Sequence, residues 1–295
     1  MGKAISQLLA QKGYAVIVLS RQTQHNTTIN NAKIKFATWN IKNKEIDINA
    51  LQQADYIIHL AGAGVMDKKW TTAYKAEIVN SRVDSAKLIA EKLQQHPNKV
   101  KAVISASAIG WYAPGENLHT EEEPADSSFL GNTCRLWEES IASVTTIGKR
   151  LVKLRIGIVL SKDGGALKEF MQPLKFGVAA ILGSGKQIIS WVHIHDLCQM
   201  FLHAIETESM SGAYNAVAPQ PVTNKTLTLT LAQKMKGKFY LPLHVPSFIL
   251  KLLLGQRSIE ILKSAAVSSK KIKAANFSFK FKTIDAALED IVKNN

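Results

Sequence analysis

The alternation of short apolar strands with helices is the strongest constraint on the fold of this chain. Runs rich in β-branched residues, at 15–19, 55–61, 100–105 and 150–160, have the composition of strands that are covered on both faces. Between them, the apolar spacing over 70–94 and 131–144 predicts helices, and weaker patterns predict a strand over 33–39 and a short helix over 49–54. Such alternation predicts βαβ units, and therefore an α/β fold with a doubly wound parallel sheet.

The alternation loosens after about residue 164. A strand is predicted near 214–217, and helices are predicted over 223–236, 246–254 and 284–292. We therefore divide the chain into a doubly wound domain over 1–163 and a smaller C-terminal lobe over 164–295, which includes an extension from about residue 245. Phe277, Phe279 and Phe281 recur at period two in that extension, and we expect them in a core.

Charge and composition exclude several classes of protein. Lys and Arg number 37 against 23 Asp and Glu, a net charge of +14, but the lysines are scattered and the densest run, 270–273, is short. We therefore predict a basic surface and no nucleic-acid partner. With Cys134 and Cys198 far apart, a disulfide scaffold is excluded. The longest apolar stretches, such as 178–182, are too short to span a bilayer, so we expect a cytoplasmic protein with no membrane partner.

The amino terminus begins in the middle of the expected alternation. Residues 1–6 formally match a myristoylation pattern, but Ala4, Ile5, Leu8 and Leu9 share one helical face, and Gly13 is a natural helix stop. In an α/β protein this helix should follow a strand, and the sequence contains none before it. We expect a sequence that starts part-way through the domain rather than a fold that dispenses with this strand.

Motifs along the whole chain, in a consistent order, resemble the extended short-chain dehydrogenase/reductase superfamily. Within it, the resemblance is to NAD(P)-dependent epimerase/dehydratase-like proteins with a conserved C-terminal extension. The motifs are VLSR (18–21), HLAGA (59–63), KW (69–70), KAE (75–77), SR (81–82), SASAIGWY (105–112), WE (137–138), RIGIVL (155–160), GG (164–165), GSG (183–185), SWVHIHD (190–196), GAYN (212–215), AP (218–219) and LG (254–255). The resemblance implies a Rossmann-like NADP-binding domain over 1–163 and a substrate-side lobe over 164–295.

In this family the first strand ends in a glycine-rich turn that holds the dinucleotide pyrophosphate at a helix N-terminus. Gly2 matches the last glycine of that turn, and the first strand with the two earlier glycines is missing from the sequence. Loss of that strand would leave its two neighbours in the sheet without one partner each.

The resemblance also implies which residues contact the cofactor. The second strand ends in Ser20 and Arg21 rather than in the Asp or Glu of NAD-specific proteins, which favours the 2′-phosphate of NADP(H), although an ordinary surface Arg is the alternative. Residues expected to line the cofactor are Gly2, Ser20, Arg21, Leu60, Ala61, Gly62, Glu77, Arg82 and Val159. For Glu77 and Arg82, the alternative is an exposed ion pair within one helix.

The catalytic residues of the superfamily are not conserved in this chain. Its enzymes use a Tyr-x-x-x-Lys pair, but here Tyr112 is followed four residues later by Glu116, and the corresponding helix carries Cys134 and Glu138. A thiol beside a carboxylate should have a raised pKa, which argues against a thiolate nucleophile and leaves Cys134 as a proton donor at most. Ser107, or Ser105, matches the superfamily serine. The candidate catalytic residues are therefore Ser107, Cys134 and Glu138.

His193 and His195 alternate on a strand and could face one metal ion, but in the family this motif leads into a helix capped by Asp196, so we predict no metal site. Thr223 or Asn224 should cap the following helix. We predict an NADP(H)-binding oxidoreductase or sugar-nucleotide epimerase-like protein with a noncanonical active site. Its substrate would be a small molecule, with a nucleotide sugar as one candidate, and a homodimer is one possible assembly. The alternative is a catalytically silent dinucleotide-binding protein with a regulatory or cell-division role.

Overall fold

The structure is a computed structural model that describes residues 1–21, 27–29 and 32–293. Its helices are α1 (Gly2–Gln11), α2 (Ile48–Gln53), α3 (Thr72–Gln95), α4 (Phe129–Ala142), α5 (Ala166–Lys175), α6 (Ile194–Glu206), α7 (Asn224–Lys236), α8 (Ser247–Leu254), α9 (Ser258–Leu262), α10 (Lys270–Ala274) and α11 (Ile284–Lys293). Its strands are β1 (Val16–Ser20), β2 (Thr27–Ile29), β3 (Ala32–Asn40), β4 (Glu45–Ile46), β5 (Tyr56–His59), β6 (Ala102–Ala108), β7 (Gly115–His119), β8 (Arg150–Ile156), β9 (Ile158–Leu160), β10 (Val178–Leu182), β11 (Ile188–Ile189), β12 (Trp191–His193), β13 (Gly212–Ala216), β14 (Val222–Thr223), β15 (Leu241–Val245) and β16 (Ala265–Val267).

The main sheet is parallel and runs in the order β13-β8-β6-β5. Helices α3 and α4 pack together over it, and α1 packs on α6. The α/β, Rossmann-like doubly wound architecture predicted from the sequence is confirmed. The last strand of this sheet, β13, comes from the C-terminal half of the chain, so both halves build the main sheet.

Strands β1 and β3 form a second parallel pair, to which β2 and β4 add in antiparallel directions. Within the described residues, β1 pairs only with β3, and β5 pairs only with β6. Each of these two strands therefore has one edge with no paired strand among the described residues. All five residues of β1 are half-buried.

The described residues form two large hydrophobic cores and a small third cluster around Tyr112. The larger surrounds β6, whose first six residues are all buried, and it includes Phe277 and Phe279 from the C-terminal extension. The smaller core packs α5, α7 and α11 around Trp191 and includes Phe281. The expectation that the three phenylalanines lie in a core is confirmed.

The predicted helix ends are confirmed in two places and wrong in one. Gly13 follows α1 with φ +88°, and the Thr223 hydroxyl accepts a hydrogen bond from Thr226 N at the start of α7. Asp196, however, does not cap α6: the His193 side chain accepts from His195 N at that end. The Asp196 carboxylate instead accepts from Lys280 N and Phe281 N, because the C-terminal tail passes within 3.0 Å of it.

In the described part of the chain, no helix combines the length and the apolar character needed to cross a bilayer.

Candidate functional site

The candidate site has two halves, and the first lies at the carboxyl ends of β1 and β5. Leu60, Ala61 and Gly62 follow β5, while Ser20 ends β1 and is followed by the exposed Arg21. A methyl group placed on Gly2 would lie 3.9 Å from Leu60 Cδ1, so the start of α1 lies against the end of β5. Met1 precedes that helix and makes no side-chain cap. We call Gly2, Ser20, Arg21, Leu60, Ala61 and Gly62 the open half.

The loop after β5 is tied to α3. Ala63 N donates to Ser81 Oγ at 2.9 Å, and Arg82 Nη1 donates to the carbonyls of Ala63 and Ile78 at 3.0 and 2.8 Å. Burial lowers the pKa of the Arg82 guanidinium. A Cβ at Gly62 would lie 2.9 Å from Arg82 Cζ. Any side chain at position 62 would therefore collide with the Arg82 guanidinium that supports the loop.

Glu77 and Val159 take no part in the hydrogen bonds that tie the loop after β5 to α3. Glu77 is exposed and pairs with Lys68 at 3.2 Å, whereas Arg82 donates to backbone carbonyls; the alternative of a Glu77–Arg82 ion pair is therefore wrong. Val159 lies in β9, which pairs with β12, and it packs half-buried against the larger core.

The second half of the site is centred on the buried carboxylate of Glu138 on α4. Ser107 Oγ donates to Glu138 Oε1 at 2.7 Å, and Arg155 Nε donates to the same oxygen at 2.8 Å. Arg155 Nη2 and Lys153 Nζ reach Glu138 Oε2 at 3.2 and 3.0 Å. The fold therefore brings Ser107 and Glu138 together, as expected if both belong to one site, and adds two cations from β8.

The network continues from Arg155 into the C-terminal half. Arg155 Nη1 donates to Tyr112 Oη at 3.1 Å, and Tyr112 Oη donates to Asn215 Oδ1 at 2.6 Å. Asn215 Nδ2 then donates to Ser268 O at 3.1 Å. The Arg155 guanidinium lies 3.6 Å from the centre of the Trp111 ring. We call Ser107, Glu138, Lys153, Arg155, Tyr112 and Asn215 the closed half, because hydrogen bonds join each of these residues to another of the set.

Electrostatics determine the protonation states in the closed half. Burial opposes ionisation of Glu138, but the hydrogen bonds and charge of Arg155, with the charge of Lys153, outweigh it and hold the pKa of Glu138 below its ordinary value. Burial, then repulsion by Glu138, raises the pKa of the Cys134 thiol to about 12. The predicted rise of the Cys134 pKa is confirmed. Cys134 therefore stays a thiol, and its Sγ donates to Ala108 O at 3.6 Å.

His59 lies where the two halves meet, at the end of β5. Its Nε2 is 2.8 Å from Ser85 Oγ, which donates its own proton to the backbone of α3, so Nε2 carries hydrogen and donates to Ser85. Its Nδ1 accepts from Trp137 Nε1 at 3.5 Å and lies 3.2 Å from Ser105 Oγ. Burial lowers the pKa of His59 to about 4, which keeps the ring neutral at physiological pH.

Arg155, Lys153 and His59 were not among the site residues predicted from the sequence, whereas Asn215 was considered as a substrate or structural contact and Tyr112 only as an unsuitable catalytic tyrosine. A signal was present for two of them. Lys153 and Arg155 interrupt an apolar strand predicted to be buried, and ionisable groups in such a strand need partners.

The two histidines of the WVHIHD motif (191–196) have separate environments. His193 is buried with its ring 3.9 Å from that of Phe281 and its Nε2 3.5 Å from Asp290, while His195 is exposed. No group of three or more His, Cys, Asp or Glu side chains that could hold a metal ion occurs in the described ranges.

Comparison with known families and proteins matches both ends of the chain. Residues 1–143 match the NAD dependent epimerase/dehydratase family, and residues 245–291 match a domain of unknown function, DUF1731. An epimerase family protein of Staphylococcus saprophyticus is 35% identical over 296 residues, which covers 99% of this chain and 96% of that protein.

Solved structures give a consistent comparison. The human epimerase family protein SDR39U1 (isoform 2), crystallised with NADPH, superposes with a TM-score of 0.85 at 26% identity and covers 100% of this chain and 96% of that chain. A nucleoside-diphosphate sugar epimerase from Corynebacterium glutamicum superposes with a TM-score of 0.75 at 27% identity. That match covers 99% of this chain and 56% of that chain.

Proposed function

This chain belongs to the epimerase family, as its motifs indicated, and from that premise we propose that it is an NADP(H)-binding oxidoreductase or sugar-nucleotide epimerase-like enzyme with a noncanonical active site. The observation that carries the proposal is the open half, which combines small residues after β5, a helix N-terminus and Arg21 at the end of β1. The NADPH of the human relative supports the choice of cofactor. A small molecule, with a nucleotide sugar as the first candidate, is the proposed substrate.

The residues of the open half fit a dinucleotide. Gly62 is exposed, and the first turn of α1, which has no side-chain cap, starts beside Leu60 at the end of β5, an arrangement that suits a pyrophosphate. The end of β1 carries a hydroxyl and a guanidinium and no carboxylate, which suits a 2′-phosphate. We propose that Gly2, Leu60, Ala61 and Gly62 line the pyrophosphate and adenosine, and that Ser20 and Arg21 hold the 2′-phosphate.

Arg82 enters this proposal as a support of the loop that carries Gly62, since its guanidinium is engaged with carbonyls. Val159 is proposed to lie near the nicotinamide, and Glu77 at the outer edge of the cofactor. A bound nicotinamide would supply or accept a hydride.

The closed half would orient the substrate. Because Ser107 donates its proton to Glu138, its oxygen lone pairs are left to accept a hydrogen bond from a substrate hydroxyl. The lowered pKa makes Glu138 a poor proton acceptor, so its proposed role is to fix Ser107, with Arg155 and Lys153 holding the carboxylate. Cys134 stays neutral beside them, and its proposed role is limited to that of a weak proton donor.

The experiment that tests the proposed function is native mass spectrometry of the purified protein followed by identification of the released ligand. We expect NADP(H) to be retained, or to bind on reconstitution in preference to NAD(H). Retention of NAD(H), or failure of the folded protein to bind either dinucleotide, would contradict the proposal. A molecule retained with the cofactor would identify the substrate class.

The alternative function is a catalytically silent dinucleotide-binding protein with a regulatory or cell-division-associated role. The occupied hydrogen bonds of Glu138 and the high pKa of Cys134 favour it, because the positions of the usual proton donors hold groups that do not titrate near neutral pH. Turnover of NADPH with a panel of nucleotide sugars and small carbonyl compounds separates the two. Turnover that Ser107→Ala abolishes indicates the enzyme, whereas tight binding without turnover indicates the alternative.

A further inference from the structure

The C-terminal lobe exposes large apolar side chains on successive segments around β15. Phe176 is 86% exposed, Phe239 87%, Phe248 71% and Leu252 82%. Leu241 in β15 and Leu253 in α8 are each more than half exposed. We call Phe176, Phe239, Leu241, Phe248, Leu252 and Leu253 the apolar face. Single exposed leucines are common on protein surfaces, but exposed residues of this size that follow one another along adjacent elements are not.

The elements that carry this face are continuous. Leu241 N donates to Gly177 O at 2.8 Å, and β15 pairs in parallel with β10, which brings the segment of Phe176 beside that of Phe239 and Leu241. Pro246 then leads directly into α8. The structure describes all 8 residues of that helix, and only Leu250 among them is buried. A helix that is apolar on nearly every side yet lies on the surface has left part of its apolar area without a partner.

The chain segment that carries most of this face is basic, and the first acidic residue after it, the half-buried Glu260, lies on α9. Between residues 209 and 259 the chain contains no Asp or Glu, and its cationic residues there are Lys225, Lys234, Lys236, Lys238, Lys251 and Arg257. Lys234 pairs with Asp285 and Glu289, and Arg257 donates to Met66 O. Lys238 and Lys251 are exposed between the apolar residues, next to Phe239 and Leu252. The face is therefore apolar side chains interspersed with lysines.

We propose that the apolar face binds the surface of an anionic lipid bilayer. Phenylalanine and leucine side chains would enter the boundary between headgroups and acyl chains, while the lysines beside them bind acidic headgroups. This mode of binding needs no membrane-spanning helix. The short apolar stretches, which led us to predict no membrane partner, exclude a spanning segment but not binding at the bilayer surface. The proposal is independent of the dinucleotide site and accounts for part of the net charge of +14.

Two other occupants fit less well. A two-fold contact between copies of this chain would place the lysines of one copy near those of the other, with no acidic residue in 209–259 to neutralise them. Nucleic acid would use the lysines but would leave the exposed leucines in water, because phosphate contacts dominate such interfaces. An anionic bilayer offers acyl chains to the apolar side chains and acidic headgroups to the lysines.

The test is co-sedimentation of the full chain with vesicles of phosphatidylcholine alone and of phosphatidylcholine with phosphatidylglycerol in equal parts. We expect binding to the second and not to the first, weakening as salt is raised. The triple variant Phe248→Ser/Leu252→Ser/Leu253→Ser should bind about tenfold more weakly or worse, since it removes the inserted apolar area. Lys236→Glu/Lys238→Glu/Lys251→Glu should lose binding to a similar degree.

Two matched controls accompany these variants. Leu118→Ser removes a half-exposed leucine from β7, outside the apolar face, and Lys12→Glu/Lys42→Glu/Lys87→Glu reverses three exposed lysines on the other half of the molecule. Both should bind vesicles like the parent chain. Equal binding to neutral and anionic vesicles, or an equal loss in the controls, would overturn the proposal. So would a dimer in light scattering that the apolar triple variant dissociates while the parent chain stays off the vesicles.

Discussion

The two halves of the site lie at one edge of the fold but differ in how their polar groups are used. In the closed half, both oxygens of Glu138 accept from the buried Arg155, and Tyr112 joins Arg155 to Asn215. In the open half, Gly62 and Arg21 are exposed, and the start of α1 has no side-chain cap. Protein groups thus supply the partners in the closed half, whereas the proposed cofactor would bind in the open half.

This difference changes how the candidate catalytic residues are interpreted. Residues at the positions of an acid–base pair need freedom to change protonation state. Glu138 and Cys134 lack that freedom, because neighbouring cations hold one ionised and burial holds the other neutral. The role we propose for the closed half is therefore positioning of the substrate, with the chemistry supplied by the cofactor proposed for the open half.

Glu138→Gln is the most severe way to break the closed half. It leaves the buried Arg155 and the half-buried Lys153 without their counter-charge, and we expect a loss of about 3–5 kcal/mol in the free energy of unfolding. Glu139→Gln is the matched control, since Glu139 is exposed and pairs with Arg135 across one turn, where the loss should stay below about 1 kcal/mol. Urea unfolding measures both. Equal losses of unfolding free energy in the two variants would mean that the buried ion pairs of Glu138 stabilise the fold no more than an exposed ion pair does.

Acid should loosen the boundary between the halves at His59. Its pKa is about 4 in the fold and 6.5 ordinarily, so between these values the unfolded chain binds more protons than the folded one. The free energy of unfolding should therefore fall as the pH drops from 6.5 to 4, by about 3 kcal/mol from this residue. His193, with its pKa also lowered to about 4, adds to the slope.

Comparing His59→Gln with His244→Gln isolates the part due to His59. The first should flatten the pH dependence of urea unfolding, and the second, at an exposed position, should leave it unchanged. An unchanged slope in His59→Gln would show that the ring does not stay neutral at this boundary.

Tyr112→Phe is a smaller test of the closed half. It leaves Asn215 Oδ1 and one Arg155 N–H without their phenol partner in a buried position, and we expect a loss of about 1–3 kcal/mol. Tyr14→Phe serves as control, because its hydroxyl contacts Glu206 at 3.3 Å in an exposed position and should contribute little. If the two variants unfold at the same urea concentration, the link between the closed half and the C-terminal half is not stabilising.

Most of the fold could be predicted from the sequence because its periodicities are local. The strand predicted over 150–160 is instructive, since the structure divides it into β8 and β9 at Gly157. A Cβ there would lie 2.5 Å from Ser190 O, and Ile158 N donates to that same carbonyl. The close approach comes from a segment more than thirty residues away, which no local pattern shows.

The site was less predictable for a related reason. Ser107 and Glu138 could be paired through the family motifs, but the cations that neutralise Glu138 lie on a strand whose apolar pattern conceals them. Asp196 was assigned to the wrong partner because its hydrogen bonds run to the C-terminal tail, 84 and 85 residues further on. Which polar groups are already satisfied is a property of tertiary contacts.

The central claim is that the open half binds NADP(H), and titration of the protein with NADPH and with NADH tests it most directly. We predict that NADPH binds at least about tenfold more tightly, the equivalent of one charge-assisted hydrogen bond, and that Arg21→Ala abolishes the difference while leaving NADH affinity unchanged. Arg135→Ala, at an exposed position on α4, should preserve the preference. NADH binding as tight as NADPH binding in the parent chain would contradict the account.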